Sequence, residues 1–359
     1  MTELSTGKSR RLSLPDGTYW QAVGVEMTRD RLIYAIVFAH VIGALGLALL
    51  LGQPERLVYL SYASVWLRAV ALAVMLYVVV IELPASIRAD PARPLARLTA
   101  RLPELCTPRL AAGGGLVLAV ILMMGSFTAV KTMLSELTPY HWDSPFAALD
   151  AWLHGGVDPW RRLQPVFGHP LVTRILQINY TGGWMIAVCT IPAVMGASRR
   201  LAPLRQRFFL TYLFCWMLLG NLAAGVFMSA GPVYYGQVTG DVLRFADQVR
   251  YLSFSDGMIH SSYELQRTLW ALHEQGRTEL GTGISAFPSV HVAMATLFTL
   301  TGWSINRWLG WAATAFLALI LVGSVHLAWH YAVDGYASMI AVAAAWFAIG
   351  AWERKAASA

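Results

Sequence analysis

His291, His330 and Asp334 have the types and spacing of a phosphoryl-transfer site. His330 and Asp334 are four residues apart, so on a helix they share a face. A carboxylate beside an imidazole fixes its tautomer and stabilises its charged form. His291 follows Phe287-Pro288-Ser289-Val290. Proline suits a first helical turn, where its missing N–H costs nothing, and the free N–H groups after it, with the Ser289 hydroxyl, make an anion seat. Lys131 adds a full positive charge. Two imidazoles, one oriented by a carboxylate, beside a cationic anion seat describe transfer through a phospho-histidine.

The elements that position these residues are membrane helices. Of 359 residues 57% are hydrophobic and only 13% charged, and the mean hydropathy is +0.52. A soluble domain runs at roughly 45–50% apolar and about 25% charged. The excess falls in blocks of about 20 residues, the length that crosses the hydrocarbon as helix. This excludes a soluble enzyme, a secreted disulfide scaffold and a disordered protein. Eight spans are predicted, near 32–52, 66–84, 111–134, 171–196, 208–229, 286–303, 308–325 and 330–351. The fold class is therefore all-α integral membrane with about eight transmembrane helices. The three cysteines are too few for a framework and read as free thiols. No cleavable signal peptide is expected, because the first 31 residues are polar and the first apolar block is of full span length.

Arginine sets the expected orientation. Of 27 basic residues three are lysine (Lys8, Lys131 and Lys355), leaving 24 arginines. The N-terminal segment (Lys8, Arg10, Arg11, Arg29, Arg31), the second loop (Arg88 to Arg109), the fourth (Arg199 to Arg207) and the C-terminal tail are basic. They are expected in the cytoplasm, with both termini. On that topology Lys131, Arg174, His291, His326, His330 and Asp334 all fall at the opposite face. Ionisable residues in spans are costly and are functional candidates by default. The Trp-rich segment 139–170 and the long loop 230–285, which opens Gly231-Pro232-Val233-Tyr234-Tyr235, are expected at that same outer interface.

These motifs resemble the type 2 phosphatidic acid phosphatase (PAP2) superfamily. Its three-part signature is Lys-x6-Arg-Pro, Pro-Ser-Gly-His and Ser-Arg-x5-His-x3-Asp. The chain has Lys131-x6-Thr138-Pro139, Pro288-Ser289-Val290-His291 and Gly323-Ser324-x5-His330-x3-Asp334. Both signature arginines are replaced, by Thr138 and Ser324; Arg174, Arg244, Arg250 and His326 are candidates to compensate. The Phe-Pro-Ser-x-His form, the His-Tyr-x-x-Asp form, the Gly231–Tyr235 stretch and the Trp-rich segment are similar to the inositol phosphorylceramide synthase-like branch. The resemblance implies a six-helix core preceded by two extra helices. It makes His330 the nucleophile, Asp334 its partner and His291 the acid, with Lys131 and Ser289 on the phosphoryl oxygens.

The expected divisions are a cytoplasmic tail (1–31), two extra helices with an Arg-rich loop (32–110), the catalytic core (111–351) and a tail (352–359). The expected activity is that of a lipid phosphotransferase or phosphatase, acting on a phospholipid or lipid phosphate, with headgroup transfer to an alcohol and sphingolipid metabolism as the finer reading. The active site would face the periplasm, cell exterior or a lumen. Arg174 is a further phosphate-binding candidate; His326, Tyr234 and Tyr235 are secondary ones. No cofactor, metal or nucleic-acid partner is expected; the partners are the lipid substrate, the bilayer and an alcohol acceptor. The competing readings are a plain lipid phosphate phosphatase, a haem or metal protein using His291, His326 and His330, and a transporter.

Overall fold

In a computed structural model that describes residues 17–358, the chain is a helical bundle with no strand among the described residues. Lys8, Arg10 and Arg11 lie outside those residues. In chain order the elements used below are α1 (Gly17–Arg29), α2 (Arg31–Leu50), α3 (Tyr59–Tyr77), α4 (Pro94–Leu105), α5 (Pro108–Leu137) and α6 (Asp143–Leu153). They continue with α7 (Pro170–Ala197), α8 (Ala202–Val226), α9 (Ser262–Glu274), α10 (Val290–Ile305), α11 (Arg307–His326) and α12 (Ala332–Ser358). Residues 17–29 of the segment read as an N-terminal tail thus form α1, and α12 runs on to Ser358 within the segment read as a C-terminal tail.

Among the described residues, seven helices are long and apolar enough to cross a membrane. The remaining expected span is α10, with 16 residues, or about 24 Å of helix against roughly 30 Å of hydrocarbon. It is short because residues 286–289, read as the start of the span, are not helical. Non-helical backbone at membrane depth is tolerated where it is buried or lines a cavity. Ser289 starts the helix: its side chain accepts from Val292 N at 3.4 Å. Asn306 then caps α11, accepting from Trp308 N and Leu309 N at 3.0 Å each.

The hub is α5. Thr107 caps it by accepting from Leu110 N, and Pro108 occupies its first turn. Its most apolar window is 67% buried within the protein, against 22% for α2 and 11% for the span that contains α3. The first hairpin therefore lies at the edge of the bundle and meets lipid. Small residues let α5 and α7 touch: a Cβ on Gly113 would stand 3.0 Å from the Gly196 carbonyl carbon. Phe127 packs edge-on against Trp216 at 4.8 Å, joining α5 to α8.

An ionic knot closes the end of the bundle that carries the basic loops. Asp30 accepts from Arg109 Nη1 and from Arg205 Nε, both at 3.0 Å, and all three side chains are buried. Glu26 lies beside both arginines, and Arg109 also donates to the Gly196 carbonyl. Arg109 and Arg205, read as loop charges that mark topology, are thus structural pairs joining the α1–α2 junction to α5 and α8. Removing one partner of a buried pair strands the other charge. Asp30→Ala should lower stability by about 3 kcal/mol, seen as a clear drop in the unfolding temperature of the detergent-solubilised protein. An unchanged transition would refute the structural role of the knot.

Candidate active site

His330 lies in the turn that joins α11 to α12. The backbone N–H groups of Trp329 and His330 both donate to the Ser324 carbonyl at 3.0 Å, which folds the turn back on the end of α11. His330 Nδ1 is 2.8 Å from the Ala286 carbonyl oxygen and 3.3 Å from Asp334 Oδ2. A carbonyl only accepts, so Nδ1 carries the proton and Nε2 keeps its lone pair. Asp334 is wholly buried, and its Oδ2 also accepts from Tyr331 N at 3.0 Å.

His291 sits in the first turn of α10. Its ring stacks on Tyr180 (4.3 Å, 9°) and on Trp184 (4.0 Å, 28°). Tyr180 belongs to a π-helical turn, Asn179–Gly183, within α7; such turns are frequent at functional sites. The two histidine rings are 6.2 Å apart, centre to centre. Both line a cavity of about 340 Å³, together with Lys131 and Ala286. Lys131 is the one Lys or Arg in that lining, and no Asp or Glu lines it. Gly283, at φ +94°, lies so close that a Cβ there would be 2.9 Å from Lys131 Cγ. The loop backbone therefore packs directly on the lysine, which a side chain would prevent. Two imidazoles and an unneutralised ammonium around one apolar-walled space suit a phosphoryl group.

Three loops hold this arrangement, and two carboxylates hold the loops. Ala286 N donates to Ser229 O at 2.7 Å, and Val233 N to Ala328 O at 3.2 Å. Gly231, at φ +99°, brings its backbone against Trp329: a Cβ would stand 2.7 Å from that carbonyl oxygen. Asp143 accepts from Ala230 N (2.7 Å), Gly231 N (2.8 Å) and the Tyr331 hydroxyl (2.8 Å). Asp150 accepts from Ala332 N (2.9 Å) and Val333 N (3.0 Å), the free donors at the start of α12. Burial holds both carboxyl pKa values above the usual range, and the backbone donors offset only part of that rise. Neither residue stood out in the sequence. The available signal is that they are seven residues apart, hence on one face, in a segment read only as interfacial.

The structure gathers Lys131, His291, His330 and Tyr234 around the cavity, with Asp334 behind His330. Tyr234 is pinned by its hydroxyl to the Gln266 carbonyl at 2.7 Å. The other candidates lie outside the lining. Ser289 is buried as the cap of α10. Arg174 is occupied by Gln177 Oε1 (2.5 Å) and the Ile259 carbonyl (2.6 Å). His326 is buried with Nε2 on the Thr173 hydroxyl at 2.9 Å. The ring of Tyr235 packs on Phe245 at 5.1 Å. Arg244 pairs with Asp158 at 2.7 Å and Arg250 with Asp247 at 3.6 Å, so neither takes the place of the missing signature arginines in the cavity. The three histidines of the haem or metal reading do not converge, and no group of His, Cys, Asp and Glu among the described residues is arranged to hold a metal ion.

A bundle of long apolar helices with a histidine pair and one lysine around a cavity defines the chain as a polytopic membrane protein. The pattern of the PAP2 superfamily matches residues 144–348, more than half of the chain, and the protein belongs to that superfamily. The match contains His291, His330 and Asp334; Lys131 and the first hairpin precede it. No curated protein and no solved structure matches the chain. Membership supports a phosphatase-type activity on lipid phosphates.

The cap at α12 carries a direct test. Asp150→Ala leaves two helix-terminal donors buried without an acceptor, and should cost about 1–2 kcal/mol together with most turnover. Asp150→Asn, which keeps one carbonyl acceptor, should fall between. Wild-type activity in both variants would show that the carboxylate does not position His330.

Proposed function

We propose that the protein cleaves a lipid phosphate or phospholipid headgroup ester through a phospho-histidine on His330 and passes the phosphoryl group to an alcohol or, failing that, to water. The observation that carries this reading is the hydrogen bond from His330 Nδ1–H to the Ala286 carbonyl, which leaves the Nε2 lone pair free on a ring whose centre is 6.2 Å from that of His291. Nε2 attacks phosphorus as the bond to the leaving alcohol breaks, and His291 supplies the proton that alcohol needs. The acceptor hydroxyl then attacks the phospho-histidine, returns its proton to His291 and frees Nε2. Asp334 keeps the imidazole oriented and stabilises its positive charge in the intermediate. Lys131 balances charge on the phosphoryl oxygens as they approach the transition state.

The charge count favours transfer over hydrolysis of a monoester. A phosphodiester carries one negative charge and a monoester nearly two at neutral pH. The cavity offers one lysine where the family signature adds two arginines, which suits the diester. Orientation follows the arginine pattern, with the site at the face opposite the basic loops, in the periplasm, cell exterior or a lumen. The inositol phosphorylceramide synthase-like branch stays the closest reading of the motifs.

Mass spectrometry of lipids after incubation of the purified protein with candidate phospholipids, with and without an alcohol acceptor, separates the two outcomes. A headgroup-exchanged lipid that forms only with the acceptor supports transfer, and free phosphate from a monoester alone supports the plain phosphatase. His330→Ala should remove at least about 10³-fold of the rate; substantial turnover without the imidazole would sink the phospho-histidine route. Lys131→Met should slow it about 10²-fold or more, with Lys131→Arg retaining part.

A further inference from the structure

The cavity does not end at the histidines. Below Lys131, His291 and His330 its walls are Met124, Trp184, Val188 and Trp216 from the core and Val65 and Trp66 from α3. Trp66 is seven residues into α3, which places it about 10 Å along the helix from that end. No ionisable side chain lines this deeper part. The space is therefore polar at one end and hydrocarbon-like at the other, and it lies within the spans.

The first hairpin is built into this space. The Tyr62 hydroxyl is 2.5 Å from Thr128 Oγ1 on α5 and accepts from Gly281 N at 3.1 Å, so it bridges the hub helix and the loop that leads to Ala286. Tyr62 and Trp66 are both buried, on a span that is otherwise the most lipid-exposed in the bundle. Residues 62–66 all precede the stretch that matches the PAP2 superfamily.

We infer that this compartment is a chamber for one hydrocarbon chain of the substrate, and that the first hairpin, through Val65 and Trp66, sets how long a chain it accepts. This rests on the lipid-phosphate reading of the site. The occupant is an amphiphile lying lengthwise, its phosphoryl group at Lys131 and the histidines and its chain among the three tryptophans. At about 340 Å³ the space is near the lower end of small-molecule pockets, roughly 300–1,000 Å³. That suits a single chain. A second chain, where the lipid has one, stays in the bilayer.

Chain-length series of n-alkylphosphonates, which bind but offer no ester to cleave, test the chamber without turnover. In the full-length protein, affinity should rise about fourfold per added methylene until the chamber is full, then level off. Val65→Trp, or the smaller Val65→Phe if that variant does not fold, should bring the plateau to a shorter chain. Trp66→Ala should move it to a longer one. Measuring each variant against wild type in the same lipid removes the contribution of simple partition into the membrane. A plateau at the same length in all of them overturns the inference, as does affinity that ignores chain length in wild type. Turnover of a chain-free phosphate ester, lost in His330→Ala, reports the catalytic reading separately. Its absence beside a shifted plateau would sink that reading and leave the chamber standing.

Discussion

His330 donates from Nδ1 to the carbonyl of Ala286, and most of the surrounding structure follows from keeping that bond. The carbonyl belongs to an extended segment, so α10 must begin late and cross less of the membrane than its neighbours. The segment must itself be held, and the hydrogen bond from Ala286 N to Ser229 O does so. The donor lies in a tight turn between two spans, so its other N–H groups need acceptors, which Ser324, Asp334 and Asp150 provide. A tautomer fixed by a backbone atom costs no reorganisation when chemistry occurs, because the acceptor cannot itself titrate.

Charge is distributed sparingly around this bond. The acids nearest the site, Asp143, Asp150 and Asp334, are turned to backbone N–H groups and His330, and none lines the cavity. Lys131 is left without an opposing carboxylate in the lining. In a low-dielectric interior one unopposed ammonium acts strongly on an arriving anion. The arginines that a sequence pattern invites as phosphate ligands are elsewhere in the structure, paired with Asp158, Asp247 or the Ile259 carbonyl. Arg109, Arg205 and Arg244 tie elements together, and Lys131 faces the site.

The first hairpin links the loop that leads to Ala286 to the membrane. One side of α3 meets lipid with little protein around it, while Tyr62 and Trp66 on the same helix reach the core. A helix that is apolar all round is tolerated in a bilayer, so hydrophobicity alone does not separate its lipid face from its cavity face.

Much of this protein was legible before any folding was considered. Blocks of twenty apolar residues allow only spanning helices, since backbone polar groups have no other partner in hydrocarbon; the spans and the all-α class follow. The i, i+4 pair His330 and Asp334 and the placement of Lys131 and His291 near one face are equally local or topological facts. Tertiary structure decided what local spacing cannot carry. Ser289, whose spacing fits an anion seat, is buried as a helix cap, and Arg174 is consumed by Gln177 and Ile259. Asp143 and Asp150, silent in sequence, hold the turn that carries His330 from more than 180 residues away. The physical reason is that a span's length and polarity are one-dimensional properties of the chain. Which buried donor meets which acceptor depends on three loops from distant positions closing over one cavity.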